Sequence, residues 1–197
     1  MGHLAIKTAE ILRATTLPDG RVEDVAQHSF MLGLVAVPLA KEFYPYLDLG
    51  LVSQFSTVHD LVETETEGGD TSTLNIDDKG LADKKVREAE GLERFKVKYA
   101  SVPYLLELLE RYEEQTEPEA RFVRVVDKFL PSLTHLENNG EMLRANGVIT
   151  AEHVWVNSTP KTERLRNEYP EFSELLDVRT VLAERIATML SQQKPAS

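Results

Sequence analysis

The chain has 197 residues, of which 42% are apolar, a formal net charge of −11 at pH 7 and no cysteine. A chain of this length can bury a substantial core without covalent staples, so we expect one globular domain. The lack of cysteine excludes disulfides and thiolate metal sites, so any metal must be held by imidazole and carboxylate. The acidic balance argues against a nucleic-acid partner, which requires clustered lysine and arginine.

Membrane and secretory segments are not indicated by the sequence. No apolar run reaches the roughly 20 residues that span a bilayer. The N-terminus lacks the charged-then-apolar layout of a secretory signal. We therefore expect a cytoplasmic protein without a membrane partner.

Helical periodicity dominates the first part of the chain. Residues 3–16 predict a short amphipathic helix that ends before the turn signal Pro18-Asp19-Gly20. Residues 23–43 predict a buried helix that is apolar on most faces and kinked at Pro38. A third apolar helix is expected over residues 49–62.

The rest of the chain also predicts helices. Residues 64–78 have little apolar content and predict a loop, and residues 79–98 predict a solvated helix with a narrow apolar stripe. Pro103 and Pro118 open two further helices, and shorter helices follow. No run alternates cleanly enough to predict a strand.

The predicted fold class is therefore all-α, with a single domain over residues 1–197 built as a helical bundle. Its core is expected over residues 4–137. Helices in residues 138–193 are expected to pack on that core or to form an oligomer contact.

The dipeptide His59-Asp60 stands out because it ends an apolar run. On a continuous helix, these two residues and Glu63 would share about 100° of arc on a partly buried face. Buried charges require partners or a metal. His28 lies in a similar apolar helix, and Asp127 interrupts the run VRVVDKFL at the margin of its apolar stripe.

Two imidazoles and two carboxylates from three helices could bind one divalent ion in a bundle core. Spacing alone leaves other interpretations open. A His-Asp pair is more often a hydrogen-bonded structural pair than a set of metal ligands. A lone histidine on an apolar face is more often a core residue with satisfied hydrogen bonds. A carboxylate at the margin of an apolar stripe is more often a surface group. His135 falls about 80° round its helix from Asp127, so we expect a surface residue there, and His153 is expected to pack beside Trp155.

The order His28, His59-Asp60, Asp127 resembles the H…HD…D signature of the HD-domain phosphohydrolases. This superfamily is all-α and metal-dependent, so the resemblance implies a helical bundle of the HD-domain type. The local context narrows the resemblance to the HD-domain 5'-deoxynucleotidase family over roughly residues 4–137. The segments that carry it are RVEDVAQHSF, HDLVE, GGDT, KKVREAE and YEEQTEPEARFVRVVDKFLP.

The resemblance implies a metal site and a catalytic acid. His28, His59, Asp60 and Asp127 match the family's four ligands to one divalent ion. The resemblance does not distinguish whether this ion is cobalt, manganese, zinc, magnesium, nickel or iron. Glu63 matches the carboxylate that orients or deprotonates the water that attacks phosphorus.

The same resemblance implies substrate contacts. Arg13 matches a phosphate-binding arginine, and Lys84 and Arg87 match charged positions that could reach the phosphate. Asp70 matches the aspartate that positions the phosphate or protonates the leaving 5'-oxygen.

Two departures from the family pattern leave details open. Ala14 follows Arg13 where the bacterial branch has a tryptophan that excludes the ribose 2'-hydroxyl, so selectivity for deoxynucleotides is open. The interval from His59 to Asp70 is two residues longer than in relatives, which leaves Glu65 and Glu67 as alternatives to Asp70.

The implied function is a metal-dependent phosphohydrolase that releases phosphate from (deoxy)nucleoside 5'-monophosphates. One alternative is a deoxynucleoside triphosphate triphosphohydrolase on the same metal centre. Another is a non-catalytic HD module that binds a metal or a nucleotide. The resemblance also suggests a homodimer contact in the region after residue 138.

Overall fold

The computed structural model describes residues 1–70, 74 and 76–192, and the side chain of residue 78 is not described. Residues 71–73 and 75 of the predicted loop therefore lie outside the described part, as does residue 193 of the predicted C-terminal helices. The described residues are mostly helical, with a single two-stranded sheet. The prediction of an all-α fold is confirmed.

The secondary structure of the described chain consists of α-helices, two short 3₁₀ turns and two strands. The helices are α1 (Gly2–Glu10), α2 (Val25–Phe43), α3 (Leu49–Val58), α4 (Asp78–Lys98), α5 (Pro103–Glu114), α6 (Pro118–Glu137), α7 (Glu141–Ala145), α8 (Ala151–Glu168) and α9 (Ser173–Gln192). The 3₁₀ turns are Leu61–Thr64 and Pro170–Phe172, and the strands are β1 (Leu12–Thr16) and β2 (Val22–Asp24).

The chain divides into two compact units. Unit one comprises Met1–Ala14 and Glu23–Arg124, and unit two comprises Thr15–Val22 and the chain from Val125 onward. The prediction of a single domain with its core over residues 4–137 stays a prediction.

The N-terminal helix is shorter than predicted, and a hairpin follows it. Helix α1 ends at Glu10, and residues predicted to be helical form strand β1. Thr15 and Thr16 are β-branched and favour extended backbone. Gly20 closes the turn with a φ of 83° and donates its N–H to Leu17 O at 3.0 Å. The helical prediction for residues 12–16 and the expectation of no strand were wrong.

Helix α2 begins two residues later than predicted because Asp24 caps it. The Asp24 carboxylate accepts the Gln27 N–H at 2.8 Å, and the Gln27 side chain accepts the Asp24 N–H at 3.2 Å. This reciprocal capping box fixes the first turn of the helix. The helix continues through Pro38, and its apolar residues Phe30 and Leu34 are exposed, so it is less buried than predicted.

Helix α3 ends earlier than predicted. Asp48 caps its start by accepting the N–H groups of Gly50 and Leu51, and its last residue is Val58. His59 is the C-cap, and Glu63 lies in the following 3₁₀ turn. The prediction that His59, Asp60 and Glu63 share one face of a continuous helix was therefore wrong.

Helix α4 approaches the backbone that follows the 3₁₀ turn closely at Gly91. A Cβ at Gly91 would lie 2.5 Å from Thr66 Oγ1 and 3.1 Å from its Cα. Only glycine permits this contact without displacement of the backbone. Arg94 Nε also donates to the Glu65 carbonyl at 2.9 Å. The close approach places α4 beside the segment that follows Glu63.

The core of unit one is built from aromatic and aliphatic side chains of its helices. Phe55 and Tyr112 lie with ring centroids 5.9 Å apart, and both are fully buried. Glu119 is buried at the start of α6 and accepts the Asp48 N–H at 2.8 Å. This core provides the rigid base for the polar side chains described below.

Unit two is held together mainly by the packing of α8 against α9. Its core includes Phe172, Leu176 and Ile186. His135 lies in this unit with an exposed fraction of 8%, and its buried Nδ1 has no hydrogen-bond partner among the described residues. The expectation that His135 is a surface residue was wrong, because the helix buries more than its apolar stripe.

The burial of His135 makes unit two sensitive to acid. Burial lowers the pKa of His135 to about 4 from its ordinary 6.5. Between these values the unfolded chain binds a proton that the folded chain does not, so stability is complete above pH 6.5 and falls towards pH 4. We expect a loss of about 3 kcal/mol across this window. Urea unfolding at several pH values measures it.

The matched variants are His135→Gln and His153→Gln, since His153 is an exposed histidine of the same unit. His135→Gln is expected to flatten the dependence of the unfolding free energy on pH, and His153→Gln to leave it unchanged. Equal slopes for His135→Gln and the wild type would contradict the assignment.

None of the helices formed by the described residues has the length and hydropathy of a membrane-spanning helix. The expected cytoplasmic location and homodimer stay predictions.

Candidate functional site

Two buried histidines of unit one face each other. His28 follows the cap of α2, and His59 is the C-cap of α3. Their ring centroids are 5.3 Å apart, and their exposed fractions are 1% and 4%. The packing of α2 on α3 therefore brings together two imidazoles that are 31 positions apart in the sequence.

Each of these imidazoles is oriented by a hydrogen bond from Nδ1. His28 Nδ1 lies 2.6 Å from the buried Glu23 carboxylate, and His59 Nδ1 lies 2.9 Å from the Ser56 carbonyl. Because both partners accept hydrogen bonds, each Nδ1 must carry the proton. In the neutral rings, each Nε2 then presents a lone pair, which is the arrangement found in metal-binding histidines.

Asp60 lies beside the second imidazole. Its Oδ2 is 3.1 Å from His59 Nε2 and also pairs with Arg13 Nη1. Arg13 is held on strand β1, and its Nε lies 3.5 Å from Glu23 Oε1. The hairpin that replaced the predicted helix therefore delivers a guanidinium to the carboxylates around the histidine pair.

Glu63 is buried in the 3₁₀ turn with an exposed fraction of 6%. Its Oε2 has no hydrogen-bond partner among the described residues, and its Oε1 lies 3.7 Å from Lys84 Nζ. Burial raises the pKa of Glu63 to about 7, although Lys84 acts to lower it. A carboxyl group poised near neutrality with an available oxygen can exchange a proton with water.

Asp70 is brought to the same group of charges by the loop after the 3₁₀ turn. Its carboxylate lies 3.9 Å from Arg13 Nε and 3.5 Å from Lys84 Nζ. Burial acts to lower the pKa of Lys84, but Glu63, Glu88 and Asp70 outweigh it and raise that pKa. Lys84 is therefore held in its charged form among three carboxylates.

The alternatives to Asp70 lie in different surroundings. Glu65 Oε1 is 2.9 Å from Lys7 Nζ and 2.7 Å from Lys98 Nζ, so it pairs with two other cations. Glu67 is exposed. Of the three acidic residues, Asp70 is the one that contacts both Arg13 and Lys84.

A cavity of about 270 Å³ opens beside Glu63 in unit one. The side chains that line it are His59, Asp60, Val62, Glu63, Lys85, Glu88, Ala89, Leu92, Glu113 and Arg124. Its cationic lining comes from Lys85 and Arg124. The predicted substrate contact Lys84 instead pairs with the neighbouring carboxylates, and Arg87 is half-buried on α4.

A comparison with protein families matches residues 7–168 to the HD domain. The chain belongs to the HD-domain family. HD domains bind divalent metals, and His28, His59 and Asp127 each bury a donor atom of the kind that such an ion binds. The predicted membership of this superfamily is confirmed, and the narrower 5'-deoxynucleotidase assignment stays a prediction.

Two solved structures are similar to this chain. A predicted metal-dependent phosphohydrolase from Magnetospirillum magnetotacticum MS-1 is 23% identical with a TM-score of 0.69, and the alignment covers 94% of this chain and 90% of the other. A conserved hypothetical protein from Pyrococcus furiosus is 19% identical with a TM-score of 0.48, covering 84% and 96%. No curated protein matches the chain.

The fourth predicted ligand of the HD domain, Asp127, lies in the part of α6 that belongs to unit two. Its exposed fraction is 5%, and its Oδ2 lies 2.6 Å from Lys128 Nζ. The expectation that Asp127 could be a marginal surface carboxylate was therefore wrong. Its role as a ligand stays a prediction.

Three charged residues of this HD domain were missed by the sequence analysis. Glu23 orients His28, and its signal was an acidic residue five positions before a candidate ligand. Glu113 and Arg124 line the cavity 3.6 Å apart, with the guanidinium of Arg124 4.9 Å from the Tyr112 ring. No motif marks these two, because α5 and α6 bring them together only in the folded chain.

Proposed function

We propose that this HD domain is a metal-dependent phosphohydrolase that releases inorganic phosphate from nucleoside and deoxynucleoside 5'-monophosphates. The observation that carries the proposal is the buried Glu63, whose Oε2 has no partner among the described residues, next to an ordered pair of imidazoles and a cavity. The structural relative from Magnetospirillum is described as a predicted phosphohydrolase, which supports the same class of reaction.

The proposed metal ligands are His28, His59, Asp60 and Asp127. Their chemistry fits a divalent ion, because two neutral imidazoles and two carboxylates form a nitrogen and oxygen donor set that common divalent metals accept. The hydrogen bonds from Nδ1 leave each Nε2 for coordination. When bound, the ion would polarise the phosphoryl group and acidify a water molecule.

Glu63 is the proposed general base. Its Oε2 would accept a proton from the attacking water, since that oxygen is buried and makes no other hydrogen bond with a described residue. Lys84, at 3.7 Å from the other carboxyl oxygen, keeps the ionised form accessible. A binding module without catalysis has no need of such a carboxylate.

Arg13, Lys84 and Asp70 are the proposed phosphate-handling residues. The planar guanidinium of Arg13 can bind two phosphate oxygens at once, and the Lys84 ammonium adds a positive charge. Asp70 lies within 4 Å of both cations and would position them or pass a proton to the leaving 5'-oxygen. Arg87 remains a proposed secondary contact.

The size of the cavity favours a monophosphate. Its volume of about 270 Å³ lies just below the range of typical ligand sites, which begins at roughly 300 Å³. A triphosphate would need a longer pocket. Ala14 stands where the bacterial branch of the 5'-deoxynucleotidase family has a tryptophan, so we propose that ribose and deoxyribose nucleotides are both accepted.

A screen of natural nucleotides tests the proposed reaction. The purified chain is loaded with each common divalent ion in turn, and phosphate and tripolyphosphate are measured separately. Phosphate release from monophosphates is expected, with similar rates for matched ribose and deoxyribose substrates. Release of tripolyphosphate alone would identify the triphosphohydrolase instead, and the lack of any product with every metal would contradict the enzyme proposal.

The role of Glu23 gives a prediction for metal affinity. Because its carboxylate fixes the His28 ring at 2.6 Å, Glu23→Gln is expected to weaken metal binding by about 10- to 100-fold. A competition titration with a chromogenic chelator measures the affinity. Glu42→Gln is the control, since Glu42 is an exposed carboxylate on α2, the helix that carries His28. Equal affinities for the two variants would contradict the role given to Glu23.

A further inference from the structure

The cavity beside Glu63 has a charged pair in its wall that the proposed reaction does not use. Glu113 of α5 and Arg124 of α6 line the cavity together with the apolar side chains of Val62, Ala89 and Leu92. One buried water needs about 10–15 Å³ of such space, so a volume of about 270 Å³ has room for about 20 heavy atoms. A nucleoside monophosphate is about this size, so its base would share the cavity with its phosphate.

The guanidinium of Arg124 is held between two neighbours. Its Cζ lies 4.9 Å from the centre of the fully buried Tyr112 ring, and its Nη2 lies 3.6 Å from Glu113 Oε2. Stacking on an aromatic face restricts the plane of a guanidinium. The Arg124 side chain is 26% exposed and that of Glu113 is 35% exposed, so both charged groups are accessible to a ligand in the cavity.

The Glu113 carboxylate can accept hydrogen bonds from a ligand. In the part of the chain that the structure describes, no hydrogen-bond donor contacts it, and its distance from Arg124 is longer than a hydrogen bond. Burial raises the pKa of Glu113, although the charge of Arg124 acts to lower it. A ligand that donates two hydrogen bonds to this carboxylate would stabilise its ionised form.

The bases differ in how their Watson–Crick edges match this pair. A carboxylate only accepts hydrogen bonds and a guanidinium only donates them. Guanine presents the acceptor O6 beside two adjacent donors, N1–H and the 2-amino group. Adenine and cytosine present one amino donor beside a ring nitrogen that accepts, and thymine and uracil present one donor between two carbonyl acceptors. Guanine therefore makes the most hydrogen bonds with Glu113 and Arg124.

We propose that Glu113 and Arg124 determine base specificity by binding the Watson–Crick edge of guanine. The carboxylate accepts from N1–H and the 2-amino group, and the guanidinium donates to O6. The preferred substrates are then guanine nucleoside 5'-monophosphates. The substrate preference rests on the proposed function, whereas binding of the base does not require turnover.

A comparison of dGMP with dIMP tests the contact to Glu113, because dIMP lacks only the 2-amino group. The intact, metal-loaded protein is expected to have a kcat/KM about 10- to 100-fold higher for dGMP, as for one hydrogen bond to a charged group. Glu113→Met removes both acceptor oxygens and should bring the ratio of the two kcat/KM values close to one. Glu114→Met, which changes an exposed residue of the same helix, should keep the wild-type ratio.

Both substrates are measured on the same sample, so a misfolded fraction lowers both rates and cancels in the ratio. The wild-type ratio alone decides the proposal if Glu113→Met does not fold. Arg124→Met is expected to reduce the preference for dGMP over the monophosphate of 2-aminopurine deoxyriboside, which lacks O6. An unchanged preference in Arg124→Met would overturn the role given to Arg124.

Equilibrium dialysis with deoxyguanosine and deoxyinosine measures the same preference without turnover, because neither nucleoside has a phosphate to release. If no phosphate is released from any nucleotide but deoxyguanosine binds more tightly, the proposed reaction fails and recognition of guanine stands. Phosphate release with equal kcat/KM for dGMP and dIMP would overturn recognition of guanine and leave the reaction standing. A wild-type ratio in Glu113→Met would overturn the role given to Glu113.

Discussion

Replacing Glu63 by glutamine is expected to lower phosphate release by roughly 10²- to 10⁴-fold, the range typical of a general base. Glutamine keeps the shape and the burial of the side chain but cannot accept the proton. Metal content and the far-ultraviolet circular dichroism spectrum should stay as in the wild type. Steady-state kcat on a deoxynucleoside monophosphate, with metal analysis of the same sample, measures the effect.

Glu65→Gln is the matched control for this experiment. Glu65 lies two residues further along and pairs with Lys7 and Lys98. Its loss should leave kcat close to that of the wild type. If Glu63→Gln keeps full turnover, or if both variants lose turnover equally, Glu63 is not the base.

Replacing Arg13 by lysine should separate the effect of its positive charge on catalysis from the effect of its planar guanidinium. Arg13→Lys keeps a positive charge near Asp60 and Glu23 but loses the planar fork that binds two oxygens. We expect kcat/KM to fall by about 10²- to 10³-fold, as when one donor to a developing charge is removed. The fold should be retained. Measurements of kcat/KM over a substrate series test this expectation.

Arg13→Met should also destabilise the fold. It leaves the buried Glu23 and the nearby Asp60 without the cation that contacts both. Loss of one partner from a buried ion pair costs about 3–5 kcal/mol, which urea unfolding measures. Arg21→Met is the control, because Arg21 lies in the same hairpin with a side chain that is 67% exposed. Equal destabilisation by the two methionine variants would contradict the role of Arg13.

The helical character of most of the chain could be predicted because its apolar residues recur at helical spacing. The helix boundaries were predicted less accurately than the helical character. The helical spacing of apolar residues predicts a helix through Leu12–Thr16, where the β-branched threonines and the turn at Gly20 form a hairpin instead. The same spacing predicts that the third helix continues past Val58, although α3 ends there and His59 is its C-cap. In both places the chain leaves the helix to deliver a charged side chain.

Contacts between distant segments were the least predictable part of the site. The pairing of Lys84 with Glu63 and Asp70 depends on the close approach of α4 at Gly91. The orientation of His28 by Glu23 depends on how β2 leads into the capped helix. Neither contact leaves a periodic signal in the sequence.

The resemblance to a family supplied roles that spacing alone left open. From its residues alone, His59-Asp60 could have been a structural pair, and His28 a satisfied core histidine. Their burial and their hydrogen bonds from Nδ1 now support the metal-binding interpretation. The resemblance assigns no role to His135, so it did not contradict the predicted surface position of this residue. The sequence also did not show which faces of α6 are buried in unit two.

The most direct test of metal-dependent phosphohydrolysis is a metal titration of the stripped protein. Chelated protein is titrated with one divalent ion at a time while phosphate release from a deoxynucleoside monophosphate is followed. We predict no release without metal, and release that rises in proportion to bound metal until one ion is held per chain. Full activity of the stripped protein, or no activity with any metal at saturation, would contradict the proposed function.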